Sequence, residues 1–270
     1  IAPNTGGGIV MENSGITMGN SVVLENVGAN GFGGGIYIVG SSLTGDGITL
    51  SDIEISGNQA EFGGGIYVNN SNSILRDVNI NYNEAVWGGG VYLKNSQIIF
   101  QHSIIYENIA LGEIDFPSPY YDGDGIVILE GSSVRFESST ITDNIEFNNF
   151  GEPIGAQFIN SIIGSEVPIT IGEASNIILL EFAFSLINVE AIEVIEESPN
   201  IELDFLAGNL YESPLFTDPN GSDYTLQSIS SCIDAGTAFF EWDDEIWVDI
   251  DEDEYYGSAP DMGAFEFESE

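Results

Sequence analysis

Gly63-Gly64-Gly65-Ile66-Tyr67-Val68 is one of three near-identical stretches in this chain. Gly33-Gly34-Gly35-Ile36-Tyr37-Ile38 precedes it and Gly88-Gly89-Gly90-Val91-Tyr92-Leu93 follows it. Gly6-Gly7-Gly8-Ile9-Val10 is an earlier, simpler copy, and Gly125-Ile126-Val127-Ile128 a decayed later one. A motif that returns about every 25–30 residues means stacked repeats, and no other feature of the chain restricts its fold as much.

With Ile66 aligned on Val91, an ungapped offset of 25 residues places Ile80 on Ile105, Asn83 on Asn108 and Ala85 on Ala110. The same step backward places Ile55 on Ile80 and Asn58 on Asn83. Three columns emerge: asparagines (Asn58, Asn83, Asn108, with Asn26 as a first member), aromatics before the glycines (Phe32, Phe62, Trp87), and tyrosines (Tyr37, Tyr67, Tyr92).

Within a unit the apolar residues alternate, as Ile66 and Val68 do around Tyr67, and β-branched residues dominate. This is strand periodicity. Several short strands per 25-residue unit leave no room for crossover helices, so the expected fold is all-β, a right-handed parallel β-helix. One coil cannot bury its inner face alone. Stacking completes the core and sets equivalent side chains about 4.8 Å apart. Stacked asparagines can then bond to each other and to the turn backbone, and the glycines permit a tight corner. The tyrosine column should face outward. It either stiffens one sheet or offers rings to sugars.

The pattern Asn-x-Ala-x-aromatic-Gly-Gly-Gly-Ile-Tyr resembles the repeat of polymorphic outer-membrane proteins and related secreted, pectin-lyase-like β-helix proteins. The likeness covers residues 6–144 and implies the fold and an extracellular or bacterial cell-surface location. It says little about activity, because that fold hosts enzymes, adhesins and structural proteins.

Composition narrows the partners. Forty-four Asp and Glu face three basic residues, Arg76, Lys94 and Arg135, for a formal charge of −41. Residues 136–270 hold no Lys or Arg. Such a surface cannot neutralise phosphates, which excludes nucleic acid and anionic membranes. Hydrophobic residues make up 43%, so the chain is folded rather than an acidic tail. No apolar run is long enough for a transmembrane helix. Cys232 is single, which excludes an intramolecular disulfide and a cysteine zinc cluster. The opening Ile1-Ala2-Pro3-Asn4 reads as an internal or processed start.

Along the chain, residues 1–208 read as coils. They are regular over 6–144, interrupted by an insertion at 111–124, and degenerate over 154–208, where the glycine triplet is gone. Asn144 is expected to continue the asparagine column after Asn108. The insertion carries Tyr120, Tyr121, Asp122 and Asp124. Insertions in solenoids map to loops, often on the working face.

Residues 209–270 carry a second pattern: Ser213-Pro214-Leu215-Phe216-Thr217-Asp218-Pro219, Asp223-Tyr224-Thr225-Leu226, Cys232-Ile233-Asp234-Ala235-Gly236, and Ala259-Pro260-Asp261-Met262-Gly263-Ala264-Phe265-Glu266. This is similar to the terminal coil and cap of large, surface-anchored bacterial β-helix proteins. The resemblance implies a segment that covers the solenoid's open end, where edges and core would otherwise be bare.

No catalytic set stands out. Lyases of the resembling fold use an Arg or Lys base beside calcium-binding Asp, and the repeat alignment brings no basic cluster together. The hydrolase motifs are absent apart from Asp243-Asp244, and His102 reads as a surface or turn residue. Nine of the fourteen residues from Glu241 to Glu254 are acidic. Asp249, Asp251 and Asp253 have the alternate spacing of a calcium loop, but Glu254 stands where an EF-hand needs glycine. An irregular Ca²⁺ site and a solvated acidic loop both remain open, with Asp122 and Asp124 as a second pair. Candidate ligand-binding residues are Tyr37, Tyr67, Tyr92, Tyr120 and Tyr121. The chain is expected to be a structural or adhesive surface protein that associates with itself or with surface glycans. The alternative is a polysaccharide lyase, glycosidase or glycan-binding module.

Overall fold

The computed structural model describes residues 6–28, 31–41, 47–112, 123–149, 151–164, 169–194 and 200–268. Their strands stack in two long parallel sheets. The first runs through Ile9–Glu12, Ile36–Val39, Ile66–Asn69, Val91–Lys94, Ile126–Leu129, Ile145–Asn149, Ile169–Ala174 and Glu193–Val194. The second begins with Thr17–Leu24, Ile48–Ser56 and Asn72–Asn81. It then divides at a corner, with Gln97–Gln101 and Ile104–Tyr106 as the first divided coil. Each strand pairs with the equivalent strand one coil away, for example Ile66 with Val91 and Tyr67 with Tyr92, so the fold is the expected parallel β-helix.

The coil closes because one residue per corner takes the left-handed conformation. Asn20, Asp52, Asp77, His102, Ser138, Asn160 and Phe184 form one such column, with φ between 46 and 53° for all except Ser138 at 44°. Gly63 and Gly88, at φ 63 and 64°, form another. A Cβ on Gly63 would stand 2.2 Å from the carbonyl oxygen of Ile66, so no other residue fits there without moving the backbone.

Inside, the register stacks like on like. Met18, Leu50, Leu75, Phe100, Phe136, Phe158, Phe182 and Phe205 share one column. From Phe100 onward the rings stack nearly parallel at 4.8–5.1 Å between centroids. This phenylalanine ladder holds the later coils in register after the glycine triplets stop.

Polar ladders line the corners. Asn58 donates its backbone N–H (3.0 Å) and Nδ2 (2.9 Å) to Asn83 Oδ1, and Asn83 repeats the pattern on Asn108 Oδ1. Each asparagine's Nδ2 also reaches a strand carbonyl, Ile55 O for Asn83 at 2.8 Å. Asn26 is the first member, as expected. A serine ladder follows the left-handed corner residues. The N–H groups of Ser103, Ser139 and Ser161 donate to the Oγ atoms of Ser139, Ser161 and Ser185, and Ser185 N donates to Asn209 Oδ1. These buried turn groups would otherwise lack partners, at a cost of about 1–3 kcal/mol each.

The C-terminal segment departs from expectation. It forms two antiparallel hairpins, Phe216–Asp218 with Asp223–Leu226 and Phe239–Trp242 with Glu245–Asp249, and lies along the solenoid's side. Tyr224 packs on Ile104 and Tyr106; Leu226, Cys232 and Met262 pack on Ile162 and Leu186; Trp247 and Val248 pack on Ile159 and Ala183. The inward residues of the last coil strand, Ile201, Leu203 and Phe205, stay half-exposed. The physical reason is an outward-facing column, Glu54, Asn79, Ile104, Thr140, Ile162, Leu186, which turns apolar at the coil where the tail begins to dock.

The Asp261–Glu266 motif is the clasp of this strap. Asp261 accepts from Asp234 N (2.7 Å) and Phe267 N (2.6 Å), Glu266 from Asp261 N (2.9 Å) and Tyr256 N (3.2 Å), and Asp234 from Ser258 N (2.6 Å). Ala264 N donates to Thr140 Oγ1 at 2.9 Å and Gly263 N to Asn160 O at 2.7 Å, which ties the motif to the coils.

Candidate functional site

Tyr37, Tyr67 and Tyr92 form one ladder on the first sheet, with ring centroids 5.5 and 5.4 Å apart and planes within 9 and 11°. Phe32, Phe62 and Trp87 form a second ladder beside it, at 5.0 and 4.5 Å. The two interlock, since Phe32 lies 4.7 Å from Tyr67 and Phe62 5.3 Å from Tyr92. Tyr67 is only 6% exposed, and burial raises its hydroxyl pKa to about 12. Both faces of its ring are occupied by neighbouring tyrosines. Val10 and Val127 hold the positions before Tyr37 and after Tyr92. Sugar stacking needs a free ring face, so the arrangement is that of a packing ladder. Tyr120 and Tyr121 lie outside the described residues.

Asp249 ends the second strand of its hairpin, and Asp251 and Asp253 follow in an exposed turn. Among the described residues, no three His, Cys, Asp or Glu side chains converge closely enough to hold a metal ion. Asp124 accepts from Ala110 N at 2.8 Å, which secures the return from the insertion. Asp122 lies outside the described residues.

A basic cluster does exist, contrary to the expectation from the repeat alignment. Arg76, His102 and Arg135 line one groove of about 260 Å³ with Gln101, Glu137, Trp247, Asp249 and Glu254. Three of the chain's four Lys, Arg and His residues are therefore in one place. The linear alignment treats the solenoid alone, whereas the groove has a second wall supplied by the tail hairpin.

Arg76 donates Nε (3.1 Å) and Nη2 (2.9 Å) to Gln101 Oε1, and Gln101 Nε2 donates to Glu137 Oε2 at 2.6 Å. Arg135 donates Nε to Gln157 Oε1 at 2.8 Å, pairs with Glu245 of the tail, and lies 5.8 Å from the Trp247 ring centroid. Burial pushes the Glu137 carboxyl up, against the pull of Gln101 and Arg135. Burial also lowers His102, against the raising effect of Asp77 and Glu254. His102 occupies the left-handed corner position, as a turn residue should. Among these cations Arg135 pairs with an acid of the tail, Glu245, whereas Arg76 bonds to Gln101 and His102 lies 3.8 Å from Asp77, both on the coils.

A second groove lies where the asparagine column ends. Its terminal member is Asp143, not Asn144: Asn108 donates N–H (3.0 Å) and Nδ2 (2.8 Å) to Asp143 Oδ2. Asn144 instead donates Nδ2 to Thr170 Oγ1. The longer unit after Asn108 hid this one-residue shift. Burial raises Asp143 to about 6, opposed by the two Asn108 bonds and reinforced by Asp124. Above it, Glu107, Thr142 and Gly164 face Pro214, Leu215, Phe216, Pro219 and Tyr224 across a groove of about 490 Å³. Nothing in the sequence announced this groove, because more than half of its lining comes from the strap.

Closed coils, two parallel sheets and stacked corner ladders define a parallel β-helix. Residues 1–163, more than half of the chain, match the family described as right-handed beta helix region, and the chain belongs to that family. No curated protein and no solved structure matches it.

Proposed function

We propose that this chain is a structural and adhesive β-helix of a bacterial surface, displayed there or released from it as part of a larger exported protein. One observation supports the reading best. Residue types that elsewhere build chemistry, the Asn, Ser and aromatic side chains, here bond or stack onto their own copies through successive coils. That is the investment of a stiff scaffold. The negative surface keeps such a scaffold soluble and apart from phosphate-rich partners.

Self-association belongs to this proposal. Val10, Val22 and Leu24 are exposed on the first described coil and Val194 on the last, at strands that form the sheet edges among the described residues. Sedimentation velocity across a concentration series tests this, and a single monomeric species throughout would remove it. The surface assignment is tested by fractionating source cells and labelling intact ones with antibody. Protein confined to the cell interior would overturn it.

A second reading, a carbohydrate-active enzyme, is favoured by the groove above Asp143, where the Glu107 and Asp143 carboxylates share one lining. Incubation with neutral and acidic polysaccharides separates the two, since released oligosaccharides would replace the non-enzymatic reading.

A further inference from the structure

We propose that the groove between the Asp143 corner and the Phe216–Leu226 hairpin is a binding site for a neutral oligosaccharide. The proposal rests on the adhesive reading and names its ligand class.

The shape is the first argument. At about 490 Å³, the groove falls within the roughly 300–1,000 Å³ of small-ligand sites. Gly164 keeps its floor open. A Cβ there would already touch Phe216 Cε2 at 3.4 Å and Thr142 Cγ2 at 3.7 Å, so a longer side chain would occupy the space a ligand needs.

The lining is the second argument. One side supplies acceptors. Glu107 is exposed at a left-handed corner, and its Oε2 accepts from Ser222 Oγ at 3.3 Å, which holds the carboxylate in place. Asp143 is fixed from below by Asn108, and the Tyr224 hydroxyl bonds to Thr142. The other side is apolar: Pro214, Leu215, Phe216 and Pro219. Leu215 sits at φ 55°, a conformation seldom taken by a bulky residue, and such strain gathers at ligand clamps. Gln227 holds this rim, donating N–H to Leu215 O (2.9 Å) and Nε2 to Phe216 O (2.7 Å).

Charge selects among ligands. Two carboxylates in a chain of charge −41 repel acidic sugars and phosphates. A wholly apolar ligand would strand the acceptors of the floor. A neutral pyranose chain meets both demands: its hydroxyls donate to Glu107 and Asp143, and its C–H faces lie on Phe216 and Leu215.

The test titrates the full chain by calorimetry with cellopentaose, xylopentaose and mannopentaose, and with tetragalacturonate as the acidic counterpart. At least one neutral pentasaccharide should bind with Kd below about 1 mM. Glu107→Gln should weaken it about tenfold or more, because a charged acceptor is lost. Gly164→Leu should abolish it by filling the floor, with circular dichroism confirming that both variants fold. No binding by any neutral pentasaccharide, or tighter binding of tetragalacturonate, would overturn the proposal. Neutral binding that both variants leave unchanged would overturn the groove while the adhesive reading stands. Cleaved pentasaccharide in the cell would end the non-enzymatic reading, and the same two variants would still decide the groove.

Discussion

Asn108 directs two hydrogen bonds, from its backbone N–H and its Nδ2, onto the single oxygen Oδ2 of Asp143. Asn58, Asn83 and Asn108 each accept from the coil before and donate onward. An ionised aspartate only accepts, so the ladder stops there. The corner beyond it opens into the groove instead of carrying another rung.

The first prediction concerns pH. Asp143 is raised from the ordinary value of 3.8 to about 6, chiefly by burial. A raised carboxyl contributes stability that is full below the unfolded pKa and is lost as pH rises through the folded one. Stability should therefore increase as pH falls from 7 to 5, and buried Asp261 and half-buried Glu137 and Glu266, shifted the same way, add to the slope. Asp143→Asn should gain on the order of 2 kcal/mol at pH 7 and flatten part of that slope. Urea melts at pH 5 and 7 check this, and an unchanged slope in the variant would refute it.

The second prediction concerns the middle of the ladder. Asn83→Leu should destabilise by about 1–3 kcal/mol, because Asn58 loses its acceptor and Ile55 O its donor. Asn83→Asp should be worse at neutral pH, since its carboxylate would face Asn108 Oδ1 without a proton to give. Denaturant midpoints of the two variants decide the order.

Phe158 lies 5.1 Å from Phe136 and 4.8 Å from Phe182, fully buried between them. Phe158→Ala should cost about 3–5 kcal/mol, and Phe158→Leu markedly less. A small loss in the alanine variant would mean that the later coils do not depend on the ring stack.

The strap should answer to Arg135. Its guanidinium joins Glu245 and Trp247 of the tail to Gln157 on the coil. Arg135→Met should raise amide exchange in 239–249 while exchange in the Ile66–Asn69 and Val91–Lys94 strands stays slow. Equal protection of the hairpin in both proteins would show that apolar contacts alone hold the tail.

Calcium is proposed to act as a mobile counter-ion around the acids. Millimolar Ca²⁺ should raise Tm more than sodium at matched ionic strength. Asp251→Asn with Asp253→Asn should remove only a small part of the difference, because those carboxylates belong to no convergent site. Loss of the whole increment in that double variant would instead reveal a built site formed on binding.

The coil, its parallel register, the asparagine column as far as Asn108 and the tyrosine stack were all legible in the chain as written. In a solenoid, neighbours in space are neighbours at a fixed offset, so a period of 25 residues is already a contact map. The serine and phenylalanine ladders were legible in principle too. They lie in units of unequal length, where an ungapped alignment loses them, as it lost the step from Asn108 to Asp143.

Sequence alone therefore determined the stacked β-coils and their acidic surface, because those follow from local alternation and composition. Only tertiary structure decided where residues 209–268 go and what they complete. Arg76, His102 and Arg135 meet Trp247 and Glu254, and Glu107 and Asp143 meet Phe216, through one non-repeating segment folded back along the flank. Its contacts obey no period, and docking rests on a column that turns apolar at Ile104. Such a change becomes a binding face only once the coil has set which side chains point outward.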